Sequence, residues 1–225
     1  MKGDWWHYCP VCSSKLEARS SVESTRANPV SVYGLTKEMQ EDVCKLMGRT
    51  LGIPVTVLRY FNVYGPRQSL TNPYTGLIPT FCNRLRKKRP LPLYEEGVPL
   101  RDFVHIDDVV AANIAALRQK SFYDVINVGS GRALSLIEVA DALKSVLDGA
   151  GGQVELTTRF RLGDILGCYA NLDRSAELVG SGDRVAFDDG LRTLIPWLDA
   201  HEVDDRSEQV EAELRDKGIL KGGAA

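Results

Sequence analysis

The run Val55-Thr56-Val57-Leu58-Arg59-Tyr60 limits the possible folds of this chain more than any other stretch. It is rich in β-branched and apolar residues, and Pro54 before it and Gly65-Pro66 after it bound it, so it reads as a buried strand. Ahead of it, Leu35, Met39, Val43 and Met47 recur at four-residue spacing, the repeat of one helical face. Leu51-Gly52 with Pro54 just beyond is a helix stop, and one face of that helix is expected to be buried. A helix feeding a buried strand points to an α/β chain. Ligands of open α/β sheets bind beyond the C-terminal ends of strands, which is where Phe61-Asn62-Val63-Tyr64-Gly65-Pro66 leaves as a loop.

The rest of the chain continues the alternation. Phe81 and Leu85, running into Arg84-Leu85-Arg86-Lys87-Lys88-Arg89, predict a short helix with a solvated basic end. Leu91 to Tyr94 and Leu100 to His105 read as two short strands joined by a tight connection at Glu96-Gly97. Asp107 is placed to cap the apolar helix Val109 to Leu117. Val125 to Val128 is a second buried strand, followed by Gly129-Ser130-Gly131, and Ser135-Leu136-Ile137-Glu138 is a capping box. Val154 to Thr157 reads as a strand, Arg159 to Asp164 as a charged loop, and Asp173 to Val179 and Leu191 to Leu198 as short helices. Beyond His201 only Val203, Val210 and Leu214 form an apolar stripe, and the Gly-Gly-Ala-Ala end is expected to fray.

Bulk properties exclude several classes. A chain of 225 residues can bury a sizeable core. Its formal charge of −2 argues against nucleic acid as a partner. No apolar run approaches the ~18–20 residues that span a bilayer, and the Trp5-Trp6-His7-Tyr8 start lacks a signal-peptide profile, so no membrane partner and a cytoplasmic location are expected. The five cysteines, an odd number, fit reduced thiols. Cys9-Pro10-Val11-Cys12 is half of a zinc-ribbon pattern. Its other half is absent, which favours loose surface thiols, and no metal is assigned.

Ser31-Val32-Tyr33-Gly34-Leu35-Thr36-Lys37 carries the candidate chemistry. If Tyr33 starts a helix, Lys37 lies on the same face, and an ammonium beside a phenol stabilises the phenolate, the condition for a general acid and base. Taken alone, the pair is equally an amphipathic helix start with an exposed lysine.

Four stretches together decide more. Tyr33-Gly34-Leu35-Thr36-Lys37, Arg59 to Pro66, Arg101-Asp102-Phe103-Val104-His105-Ile106-Asp107-Asp108-Val109 and Arg161-Leu162-Gly163-Asp164 occur in an order and at spacings that resemble the extended short-chain dehydrogenase/reductases acting on nucleotide sugars. The resemblance covers residues 28–198. It implies a partial Rossmann-type fold, the last parallel strands plus a small α/β substrate-binding domain. Residues 28–65 with part of 107–130 would be the remnant of an NAD-binding domain, and 66–106 with 131–198 the nucleotide-sugar-binding domain. Residues 199–225 would be a charged C-terminal helix and tail, and 1–27 an insertion remnant or disordered lead-in.

By the same resemblance, Tyr33 is the acid/base at a sugar hydroxyl and Lys37 its partner at the nicotinamide ribose. Tyr60, Phe61 and Val63 border the NAD pocket. Asn62, Leu77, Leu93, Arg101, Arg161 and Asp164 are substrate-binding, the two arginines as a diphosphate clamp and Asp164 on the nucleotide ribose. Planar bidentate donors suit phosphate. His105 and Asp107-Asp108 read as structural, at a strand end and a helix cap.

The glycine-rich cofactor loop of that family, and the strand carrying its proton-sharing Ser or Thr, have no counterpart here. The expected function is that of an NAD-dependent nucleotide-sugar 4-epimerase for UDP- or dTDP-hexoses, a homodimer when complete. It would take and return hydride through a 4-keto intermediate, and the chain is expected to be truncated, inactive and unable to bind NAD alone. A 4,6-dehydratase, a non-catalytic nucleotide-sugar-binding or oligomerising protein, and a zinc-dependent module on Cys9 and Cys12 are the alternatives. In such a truncation Val55 to Tyr60 would expose an unpaired edge and an apolar face.

Overall fold

The computed structural model describes residues 5–70, 76–118, 124–149, 151–180, 182–202 and 205–223. In chain order it contains α1 (Val32–Leu51), β1 (Thr56–Tyr60), β2 (Asn62–Tyr64), α2 (Leu77–Arg86), β3 (Leu91–Leu93), β4 (Leu100–Arg101), β5 (Phe103–His105), α3 (Ile106–Arg118) and β6 (Asp124–Val128). There follow β7 (Leu134–Ser135), α4 (Leu136–Val146), β8 (Val154–Leu156), β9 (Phe160–Arg161), β10 (Gly167–Cys168), α5 (Asp173–Val179), α6 (Phe187–Asp199), α7 (Ser207–Asp216) and β11 (Leu220–Lys221).

Ser31 starts α1 from an extended backbone, its Oγ accepting from the Gly34 amide at 3.0 Å. Gly52 ends the helix in the left-handed region at φ 65°, where a Cβ is costly. The chain then enters β1, which pairs in parallel with β6 from Thr56↔Asp124 to Tyr60↔Val128. Beyond it the expected loop holds a short strand, since β2 pairs in parallel with β5. The two strands read as neighbours across Glu96-Gly97 do not pair with each other. β3 pairs in parallel with the distant β8, and β4 lies between β10 and β7. Between them a tight 3-10 turn, Tyr94–Gly97, puts Glu95 and Glu96 at φ 47° and 55°.

Two cores of unequal size result. The larger is built by α2, α4 and α6 around β3 and includes Phe81, Leu85, Leu93, Leu143, Leu191 and Leu194. The capping box on α4 forms as read, with Ser135 Oγ accepting from the Glu138 amide and the Glu138 carboxylate from the Ser135 amide. The smaller core, Val104, Val109, Ala112 and Val128 with Leu58 and Ile106 against it, lies by the β1–β6 pair.

Other expectations change as well. The α1 stripe is not buried: Leu35, Met39, Val43 and Met47 are 47–56 % exposed. Among the described residues β1 pairs only with β6, and no element covers that face of the helix. The helix is held instead by Gly48, which sits against Val55 so closely that a Cβ would clash, and by Glu41, which accepts twice from Arg59. Asp107 is not the cap of α3; its carboxylate is exposed and its amide donates to His105 Nδ1 at 3.3 Å. The lead-in is not disordered around Ser21 and Glu23. Ser21 bonds both Tyr169 and Asn171 through its backbone, and Glu23 Oε1 accepts from the Asn127 amide at 2.8 Å. The C-terminal segment is also anchored, since β11 pairs antiparallel with β9 and buries Leu220. Val203 and the last two residues lie outside the described residues. No helix among the described residues is long and apolar enough to cross a membrane.

Candidate functional site

A cavity of about 610 Å³ opens between β2, the start of α2, the Tyr94–Gly97 turn, the loop after β9 and α7. Asn62, Leu77, Leu93, Arg101, Arg161 and Asp164 all line it. The backbone that carries them is fixed by one buried carboxylate. Asp102, fully inaccessible to solvent, accepts from the amides of Ser130, Gly131 and Ala170 and from Ser130 Oγ, at 2.6–3.0 Å. Its own carbonyl accepts from the Asn62 amide at 2.8 Å. Gly129 is required there, because a Cβ would lie 2.4 Å from Asp102 Oδ2. One residue thus sets Asn62, at the end of the first sheet, against Arg101.

Arg101 is itself pinned. Nη1 donates to the carbonyls of Leu100 and Ile165, both at 2.9 Å, and Nη2 pairs with Asp164 Oδ1 at 3.0 Å. A guanidinium has five N–H donors, so this leaves two for a ligand. The Arg161 guanidinium lies 5.6 Å from the Tyr94 ring centroid, and no carboxylate among the described residues pairs with it. Arg159 lies 6.0 Å from the same ring. Burial and the hydrogen bond to Glu211 push the Tyr94 hydroxyl up to about 12; it donates to Glu211 Oε2 at 2.8 Å. Glu211 also pairs with Arg159, which fastens α7 along the cavity. Glu95, 6 % exposed, takes the Arg161 amide at 3.3 Å; burial first, then the Asp164 charge, raises its carboxyl above the ordinary range. The site can therefore present cationic donors, Arg101 held in place and Arg161 beside Tyr94, to an anion in a half-enclosed space with apolar walls.

The other named residues are placed differently. Tyr33, 72 % exposed, and Lys37 stand at the start of α1, outside the cavity lining. Lys37 Nζ lies 5.8 Å from the Tyr33 ring centroid and donates to Gln40 Oε1 at 3.3 Å. The lead-in to them does reach the site's rim, since a side chain on Gly163 would meet Val30 at 3.9 Å. Of the residues expected around NAD, Val63 lines the cavity. Phe61 donates its amide to the Val128 carbonyl, and the Tyr60 hydroxyl donates to Asn113. His105 is buried, with Nε2 at 3.0 Å from Thr193 Oγ1, in keeping with a structural part. Cys12 is exposed, and hydrogen bonds from Ser14 and Cys9 draw its thiol down to about 7.

Sequence reasoning missed Asp102, Tyr94, Glu95, Arg159 and Glu211. Asp102 stood inside a quoted motif, and an acid between strand residues Arg101 and Phe103 was its signal. Glu211 carried none, being one acid in a charged helix.

The sequence profile of the NAD dependent epimerase/dehydratase family matches residues 11–129. The dTDP-L-rhamnose 4-epimerase of Burkholderia thailandensis is 37% identical over 186 residues, 82% of this chain and 50% of the relative. The UDP-N-acetyl-alpha-D-glucosaminuronate decarboxylase of Bacillus cytotoxicus is 31% identical over 74% of this chain and 52% of its own length. Two solved structures align with the fold. The UDP-glucose 4-epimerase of Thermotoga maritima with UDP-glucose gives a TM-score of 0.67 at 29% identity, covering 77% of this chain and 55% of that one. The UDP-glucose 4-epimerase of Thermus thermophilus in complex with NAD gives 0.72 at 26%, over 83% and 60%. The chain spans about half the length of the curated relatives it matches. With more than half of its residues under the family profile and a 37% identical relative across 82% of its length, this chain belongs to the NAD dependent epimerase/dehydratase family.

Proposed function

We propose that this chain forms the nucleotide-gripping part of a nucleotide-sugar 4-epimerase acting on UDP- or dTDP-hexoses, with Tyr33 as its proton carrier and Lys37 beside it. The observation that carries the reading is the cavity. Arg101, held by two carbonyls and Asp164, and Arg161, stacked on Tyr94, face one space with Asn62, while Leu77 and Leu93 offer apolar walls for a base. Two guanidinium groups suit a diphosphate, whose charge they bind bidentately, and Arg101 is already ordered for it.

NAD is the cofactor the family implies, and it would supply reversible hydride transfer. The described residues do not fit its pyrophosphate. Gly129-Ser130-Gly131 follows a parallel strand, as a dinucleotide loop does, but the Ser130 and Gly131 amides are spent on Asp102 and Gly129 packs against the same carboxylate.

The reading is tested by melting the protein with UDP or dTDP. Near 100 Kd a ligand adds about 2.7 kcal/mol, a rise of about 5–10 °C for a chain of this size. Arg101→Ala is expected to remove the rise; no rise with either nucleotide sinks the reading. A second reading, nucleotide-sugar binding without catalysis, draws on the exposure of Tyr33 outside the cavity. Tyr33→Phe separates the two. With the cofactor-binding half of a full-length relative supplied, it abolishes interconversion of UDP-hexoses and leaves the melting shift intact if the first holds, whereas a binder shows no turnover with either residue.

A further inference from the structure

The hairpin that carries Cys9 and Cys12 has a defined shape and no core to hold it. Tyr8 and Lys15 pair as an antiparallel bridge, and the Leu16 amide donates to the His7 carbonyl at 2.8 Å. Inside the turn, the Cys9 amide donates to the Ser14 carbonyl at 2.8 Å and the Ser13 amide to the Cys9 carbonyl at 2.9 Å. That closure forces Ser13 into the left-handed region at φ 57°, a position that favours glycine. None of residues 5–16 is buried, and Val11 at the tip is 92 % exposed. A two-stranded hairpin is marginal by itself, and small units without a core are held by disulfides or metals.

Both thiols are free, Cys9 half-exposed and Cys12 exposed, and Cys12 Sγ lies 3.4 Å from Ser14 Oγ on the same turn. The remaining cysteines are elsewhere, Cys44 on α1, Cys82 buried on α2 and Cys168 in β10. The Ser13 turn closes residues 9–14 on each other and puts both cysteines on one short loop, three positions apart. Cys-x-x-Cys on a closed turn chelates tetrahedral zinc with bonds of ~2.3 Å.

We propose that Cys9 and Cys12 chelate one thiophilic divalent cation, zinc, through both sulfurs, and that the ion staples the hairpin. Each thiol gives its proton to solvent as its Zn–S bond forms, so one ion releases two protons and no oxidant is needed. The pair fills two of four tetrahedral positions. Among the described residues no cluster of three or more His, Cys, Asp or Glu could enclose an ion, so the other two positions go to water or to donors from outside these residues.

The test uses the full chain, made metal-free under a phosphine reductant and titrated with Co²⁺. Sulfur-to-cobalt charge transfer absorbs in the near ultraviolet and reports thiolate ligation directly. The expected band saturates at no more than one ion per chain, is displaced by Zn²⁺, and is lost in both Cys9→Ser and Cys12→Ser. Cys44→Ser keeps it. The hairpin lies outside both cores, so all three variants retain the far-ultraviolet circular dichroism of the parent. No band in the parent, or a band surviving in Cys12→Ser, overturns the proposal. Zinc is also expected to slow tryptic cleavage after Lys15 in the parent and not in Cys9→Ser; equal cleavage of the parent with and without zinc overturns the staple.

Discussion

Asp102 shows how much one side chain can determine. Its carboxylate accepts four hydrogen bonds from residues 28 to 68 positions away in sequence, and no water reaches it. Asp102→Ala takes the acceptor from three amides at once, the buried Ala170 amide among them, and a loss of about 3 kcal/mol is expected in a urea titration. Glu95 is the opposite case. Its carboxyl is raised by burial and by Asp164, so the folded state holds its proton more tightly than the unfolded chain. Folding therefore takes up a proton between the ordinary carboxylate value and the raised one, and stability falls as pH rises through that window. Glu95→Gln keeps the acceptor for the Arg161 amide and cannot ionise. Its melting temperature is expected to exceed the parent's at pH 7, with the difference closing at pH values below the ordinary glutamate range; an equal gap at both ends contradicts the assignment. Of the residues at the cavity, Arg101, Arg161, Asn62 and Asp164 were legible because their motifs are contiguous. Tyr94 and Glu95 were not, because what matters about them is burial and a left-handed backbone, and composition announces neither.

At the scale of elements, local signals were the readable ones. The Ser135–Glu138 box and the Gly52 stop depend on neighbours within one turn, and both form. Pairings over long separations were not readable. β2 is three residues long and gains its strand character from β5, forty residues on, and β3 finds β8 across more than sixty. α7 is the clearest instance: a charged helix with a sparse apolar stripe, yet Tyr94 and Arg159 both reach Glu211 on it. Glu211→Ala is expected to free that helix. Tryptic cleavage at Arg215 and Lys217 should accelerate about tenfold, equivalent to about 1.4 kcal/mol of local opening, while far-ultraviolet dichroism barely changes. Unaltered cleavage would mean that Glu211 does not fasten the helix.

The whole molecule is uneven. Val32, Leu35, Met39, Val43 and Met47 leave one side of α1 apolar and open to water, a patch of the kind that binds dyes and promotes association. The strand reading placed the open apolar face on Val55 to Tyr60, and the four-residue repeat in the helix gave a buried face; periodicity reports that a face is apolar and leaves open what covers it. Met39→Glu with Val43→Glu is expected to lower the fluorescence of a bound hydrophobic dye, with stability unchanged within about 0.5 kcal/mol because neither side chain is buried. A large destabilisation would show that the stripe is covered in solution. The two cores carry a consequence for how the molecule comes apart. Leu93, Phe81 and their neighbours belong at once to the larger core and to the cavity wall, whereas the β1–β6 pair rests on a handful of small aliphatic side chains. Heating this chain should accordingly loosen the first sheet and α1 before the cavity gives way, so an interval of temperature exists in which Tyr33 has lost its place while the cavity still stands.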